Sequence, residues 1–251
     1  MNTAELIAID THTHLEVSCR NPFDSYGEEY DRAADKYFRS SRRPTMDETI
    51  AFYREKRIGF VNFTVDAETQ MGRRRIPNEE IAEAAQKNSD IMIAFGSIDP
   101  HKGKFGAREA RKLVEEYGVR GFKFHPTVQG FEPADKMAWP IYEVIAEHKL
   151  PAVFHSGHSG IGSGMRCGGG LRLQNSNPML LEDVAIAFPD MQIIIAHPSC
   201  RGRTRRCPWR CTSPTSGSTC RAGARSTSRR SWCSTPTRCS RTGCCSAAIS
   251  R

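Results

Sequence analysis

After Ile193-Ile194-Ile195-Ala196-His197-Pro198-Ser199 the chain changes composition abruptly. From Cys200 to Arg251 it holds twelve Arg, eight of the ten Cys, and no Lys, His, Asp, Glu, Leu, Val, Phe, Tyr or Met. Ile249 is the one aliphatic β-former of that stretch, so burial there cannot offset the entropy of ordering the backbone. A packed core must therefore come from residues 1–199, and no ordered element is predicted over 200–251. The length of 251 residues, which fits one α/β barrel domain of about 250 residues, overstates the foldable part.

The same break changes the meaning of the charge. The twelve Arg exceed the whole net charge of +8, which leaves −4 for residues 1–199. That part is mildly acidic and carries no electrostatic footprint for specific nucleic-acid binding. Only Cys19 and Cys167 precede Cys200, as in a reduced enzyme, and Met1–Glu5 has no basic, apolar leader; a cytoplasmic location is expected. No apolar run reaches the roughly 20 residues that span a bilayer, so no membrane role is expected.

Short apolar, β-branched runs alternate with longer helical patterns, the signature of parallel βα units. Strands are predicted at Leu6–Ile9, Phe60–Val65, Ile91–Phe95, Gly121–Phe124, Ala152–Phe154 and Gln192–Ala196. Helices are predicted at Met46–Lys56, Asn78–Lys87, Ala107–Tyr117, Trp139–His148 and Pro178–Phe188, where apolar residues recur three and four apart. Thr45 before Met46-Asp47-Glu48 forms a capping box, and Pro178 after Asn177 is a first-turn proline. The expected fold is an α/β (β/α)8 TIM barrel, incomplete at about six units, with a doubly wound sheet as runner-up. Residues 16–44 form a charged, aromatic-bearing insertion after the first strand, read as a lid or partner surface.

Polar residues gather where the strands end. His12 and His14, two apart on extended chain, project to the same side, so one divalent ion can take both nitrogens. His155 and His197 close the fifth and sixth strands, and such ends converge on one barrel mouth. Lys123 and His125 close the fourth and share a side. Lys123 is open to two readings, a buried amine of lowered pKa or the neutraliser of a carboxylate. His158 is a loop histidine that can hold substrate or backbone. Arg166, Arg172 and Asn175 flank the Gly168-Gly169-Gly170 loop and can grip a carboxylate, or can simply be solvated.

These residues resemble the amidohydrolase superfamily, in its amidohydrolase-related branch of metal-dependent hydrolases and non-oxidative decarboxylases. The likeness runs from Ile7 to Ser199 and is carried by His12-x-His14, His155, His197 and the Asn177-Pro178 to Phe188-Pro189 stretch before strand six. It implies metal-ligand roles for His12, His14 and His155, a ligand or acid/base role for His197, and an aspartate after strand eight. It implies one divalent ion, zinc first and manganese or magnesium otherwise, a small carboxylate substrate, and a homo-oligomer for the intact form. No Asp or Glu follows Asp190 in this sequence, so the metal site lacks that carboxylate and turnover is expected to be impaired.

The eight Cys of the tail have no paired C-x2-C spacing and no His beside them, which argues against a zinc module. Misreading of GC-rich coding sequence yields this composition. Plausible codons for 200–251, read two bases later, can spell two buried-strand patterns, NVWIDLSG and RMLFGSDFP, around a helix-like LVQYANTLLK, and end in the Gly-Ser-Asp-Phe-Pro that the resemblance requires. A lost base near codon 200 is the expected cause. The competing functional reading is a non-catalytic barrel remnant with a basic tail, distinguished by metal content.

Overall fold

The computed structural model of the chain describes residues 1, 3–21 and 28–197. The expectations for 200–251 lie outside the described residues. Six strands follow in order: β1 (Ala8–His14), β2 (Ile58–Phe63), β3 (Met92–Ala94), β4 (Phe122–Phe124), β5 (Pro151–His155) and β6 (Gln192–Ala196). All neighbours pair in parallel, as β1-β2-β3 and β4-β5-β6. A bridge from Gly96 to Phe122 joins the two halves, with Gly96 N–H donating to the Gly121 carbonyl at 2.9 Å and Lys123 N–H to the Gly96 carbonyl at 2.7 Å. The strand order never reverses, so there is no switch point and the doubly wound alternative falls. The fold is α/β, an incomplete TIM barrel.

The faces of this arc explain its near-continuous apolar runs. Phe60, Met92, Ala94, Phe122, Phe124, Ala152, Phe154 and Ile193 point outward into the layer beneath the helices. Val61, Phe63, Phe95, Val153 and Ala196 form a smaller inner cluster, with Ile93 and Ile194 packed against it. Lys123 alternates with the outward Phe122 and Phe124, so its ammonium enters the barrel interior.

Eight helices cover the described residues: α1 (Glu28–Phe38), α2 (Met46–Lys56), α3 (Glu68–Met71), α4 (Asn78–Lys87), α5 (Lys104–Glu115), α6 (Pro126–Gln129), α7 (Trp139–Glu147) and α8 (Glu182–Ala187). α2 starts on the predicted capping box, with Glu48 N–H donating to Thr45 Oγ1 and Thr45 N–H to Glu48 Oε2. α5 begins three residues before the predicted start, because its first turn exposes Phe105 and hides the apolar period. Pro178–Leu181 is a 3-10 turn, and α8 follows it. No helix among the described residues is long and apolar enough to cross a membrane.

β1 departs most from expectation, running to His14 instead of ending near Ile9. Its register against β2 shifts between Asp10, opposite Phe60, and Thr13, opposite Asn62, so one extra residue is accommodated there. This bulge re-aims the strand. Asp10 Oδ2 accepts a hydrogen bond from Tyr53, which stacks on outward-facing Phe60 at 4.5 Å. Beyond the bulge Thr13 and Leu15 take the outward positions, and His12 and His14 turn inward. Asp10 Oδ1 also accepts His12 N–H at 3.0 Å, bracing the bulge.

Candidate metal and catalytic site

The two β1 imidazoles meet inside the arc, with His12 Nε2 at 3.1 Å from His14 Nε2. Phe63, fully buried on β2, stands edge-on to both rings at centroid distances of 5.1 and 4.8 Å. Lys123 Nζ lies 3.4 Å from His12 Nε2 and 5.2 Å from the Phe63 centroid. Among the described residues no carboxylate pairs with Lys123.

β5 and β6 close the cluster from the far side. The His197 ring sits 4.7 Å from that of His12 and 4.9 Å from that of His155. His197 has φ 69, a left-handed conformation uncommon for a residue with a side chain. Ser156 Oγ donates to the carbonyls of Ala196 and His197 at 2.9 and 3.0 Å, fixing this turn. His125 stacks on His155 at 3.8 Å and 11°. It caps α6, its Nδ1 accepting the Val128 N–H at 3.4 Å.

His155 has a specific constraint. Its Nε2 lies 2.9 Å from the His158 carbonyl, and a carbonyl can only accept, so Nε2 carries the proton and Nδ1 the lone pair. The His158 ring is exposed, and its backbone rather than its imidazole touches the cluster. Arg166 and Arg172 are exposed at the two ends of the glycine loop, and among the described residues neither bonds to the cluster. Asn175 is buried in the turn Leu173–Ser176. Neighbouring Ser176 ties this turn to Thr127 at 2.7 Å.

Burial and mutual repulsion keep the imidazoles neutral. Burial, then Lys123, push His14 down to about 3 and His197 to about 4. Burial and the same lysine bring His155 to about 2. Burial first, with Lys123 and the neighbouring histidines after it, also lowers His12 and His125. Burial alone brings Lys123 down to about 7. At neutral pH the site thus offers unprotonated nitrogens without an anion, a donor set suited to a cation.

The His12–His14 spacing suits that use. Two nitrogens bonded at roughly 2.0–2.1 Å to one ion stand about 2.9 Å apart in octahedral and 3.4 Å in tetrahedral geometry. Their 3.1 Å falls between and does not select the metal. Among the described residues no group of three His, Cys, Asp or Glu side chains converges as a metal site. Sequence reasoning missed Phe63, because a strand phenylalanine reads as generic core. It also missed Gln129, which accepts His125 N–H and donates to the Asp66 and Ile98 carbonyls, locking β4 to the β2 and β3 loops.

The sequence model of the amidohydrolase family matches residues 9–200. No curated protein matches the chain significantly. Among solved structures it is similar to an uncharacterized TIM-barrel protein from Bordetella bronchiseptica, at TM-score 0.55 and 16% identity over 76% of this chain and 66% of that one. It is also similar to 5-carboxyvanillate decarboxylase from Novosphingobium aromaticivorans, complexed with manganese and 4-hydroxy-3-methoxy-5-nitrobenzoic acid (0.54, 17%, 76% and 65%). A third is a dihydroxybenzoic acid decarboxylase from Polaromonas with bound manganese and 2-nitroresorcinol (0.52, 16%, 76% and 65%). The chain thus spans just under two thirds of the length of these structures, and at such identities they share its fold. The family match begins inside β1 and runs past β6 to the composition break, and the chain belongs to the amidohydrolase family.

Proposed function

We propose that the chain carries most of the barrel of a metal-dependent enzyme that decarboxylates or hydrolyses a small carboxylate-bearing substrate. The inward-facing His12–His14 pair, its nitrogens 3.1 Å apart among neutral imidazoles, carries this reading. The decarboxylase neighbours favour C–C cleavage, and their manganese moves that ion ahead of zinc. His12 and His14 would hold the ion, with His155 through Nδ1 and His197 as further donors. A bound divalent ion supplies Lewis acidity toward a substrate oxygen.

The chain's own groups divide the remaining work. Lys123, part protonated near neutral pH and without a carboxylate of its own, attracts the substrate's carboxylate into the interior. His125, with Nδ1 accepting from Val128, holds its proton on Nε2, a donor for the carbon or heteroatom that gains a proton. The apolar wall of Phe63 and Val153 excludes water. Arg166 and Arg172 would meet a carboxylate only after the loop moves inward.

The family's strand-eight aspartate has no counterpart between Asp190 and Arg251, so turnover by the chain as it stands is expected to be slow. The test is metal analysis of protein purified with manganese or zinc, together with turnover of 5-carboxyvanillate and dihydroxybenzoates. Near-stoichiometric metal, lost in His12→Ala, supports the reading. Metal-free wild-type protein, or metal retained equally in His12→Ala and His14→Ala, refutes it.

A further inference from the structure

The geometry points to α1 as a strap that crosses the barrel mouth and controls access to the histidine cluster; this rests on reading that cluster as the functional site. The chain leaves the interior at His14 on β1, yet α1 docks on the loop that follows β5. α1, with eleven residues, is about 16 Å long; both of its ends dock on that loop, while Arg43 ties Asp31 and Asp35 of the helix to Glu16, two residues past His14.

The docking is a two-point clasp. At one point Tyr30 Oη donates to the Gly169 carbonyl at 2.7 Å. Gly169 has φ +66, and a Cβ there would stand 2.8 Å from Tyr30 Cε1, so only glycine admits the tyrosine without strain. At the other point a Cβ on Gly160 would stand 2.6 Å from Phe38 Cζ and 2.7 Å from Tyr37 Cδ1. The base of the strap is tied to the end of β1 through Arg43, which pairs with Asp35 at 2.9 Å, Asp31 at 3.4 Å and Glu16 at 3.9 Å.

The loop under the clasp begins at His155, whose Nε2–H holds the His158 carbonyl. It also carries Arg166 and Arg172. Opening the clasp therefore frees the same loop that would swing its arginines toward a carboxylate, so entry and substrate grip are one movement.

The test uses the full chain and does not require turnover. Tyr30→Phe deletes the hydrogen bond at one point, and Gly160→Ala displaces the aromatics at the other. Reaction of each histidine with diethyl pyrocarbonate is followed by peptide mass. Both variants are expected to accelerate modification of His12, His14 and His197 about two- to tenfold, the scale of one lost hydrogen bond. His101, in the turn Pro100–Lys102 after β3, and His148, just past the end of α7, make no contact with the clasp among the described residues, serve as controls and stay unchanged. Unaltered rates at the cluster, or equal acceleration at all five histidines, overturn the strap. Because access is measured directly, failure of the metal-enzyme reading leaves these rates standing, whereas metal binding with unaltered rates refutes the strap alone.

Discussion

Thr13→Val tests whether the outward side of β1 holds the bulge that turns His12 and His14 inward. The Thr13 hydroxyl donates to the Val61 carbonyl at 2.7 Å and accepts from Asn62 Nδ2 at 3.0 Å. Asn62 is fully buried and its Oδ1 already has no hydrogen-bond partner among the described residues. Valine keeps the shape, so no cavity term enters. The lost hydrogen bond costs about 1 kcal/mol, and the Asn62 donor left without a partner another 1–3 kcal/mol, for a total of about 2–4 kcal/mol. At about 2–4 °C per kcal/mol for a domain of this size, Tm falls by roughly 5–15 °C. Removing both polar partners avoids the orphan, so Thr13→Val with Asn62→Leu should be more stable than Thr13→Val alone. Urea unfolding followed by circular dichroism, with unchanged m-values, measures both. A cost below about 0.5 kcal/mol for the single variant, or strict additivity in the double, refutes the reasoning.

Tyr53→Phe removes the 2.8 Å bond to Asp10 and should cost about 1 kcal/mol in urea unfolding, with a further loss of metal affinity if the bulge relaxes. Phe154→Ala deletes a ring stacked on Phe124 at 5.0 Å and should cost about 3–5 kcal/mol, read as a shift of the urea midpoint. Thr45→Ala should lower Tm by about 2–4 °C through loss of the α2 cap. The Thr45 N–H holds Glu48 below its ordinary 4.5. That contribution is present above 4.5 and lost as pH falls through the lower folded value, but alanine keeps the backbone N–H and loses only the Thr45 Oγ1 that accepts from Glu48 N–H. Wild type and Thr45→Ala should therefore lose it alike, and the Thr45→Ala deficit should stay nearly constant between neutral and acid melts; a deficit that vanishes in acid would contradict this division of the capping box.

The legibility of this chain divides by the kind of signal. α2 and α4 and the strand β6 were readable to the residue, because caps and apolar periodicity are local. The inward pairing of His12 and His14 was readable only in part. Their shared side follows from two-residue periodicity, but which side depends on the bulge, and that depends on β2 and on Tyr53 some forty residues away. Phe63 was invisible because its importance lies in what faces it. The 16–44 insertion announced itself by charge and aromatics, yet its partner, the glycine loop after β5, is a tertiary fact. Lys123 shows the opposite case: a lysine between two phenylalanines forces a buried amine once both faces of the strand are covered.

Burial across the last two strands bears on the reading frame after Ser199. Ala152, Val153, Phe154 and His155 are all buried, whereas Gln192 is exposed and Ile194 and Ile195 only half-buried. A barrel strand with neighbours on both sides should be covered on both faces, and among the described residues β6 has no partner beyond β5. Restoring the second frame after codon 200, which we propose supplies the two missing strands and the Gly-Ser-Asp-Phe-Pro carboxylate, should slow amide exchange at Ile194. It should also raise metal affinity and turnover. An apolar strand at the edge of a sheet promotes association, so solubility should improve as well. If the restored chain exchanges, melts and binds metal as the present one does, the break at Cys200 is not a lost frame and the tail needs a different explanation. Resequencing the locus across codon 200 separates a missing base in the gene from one lost in its reading.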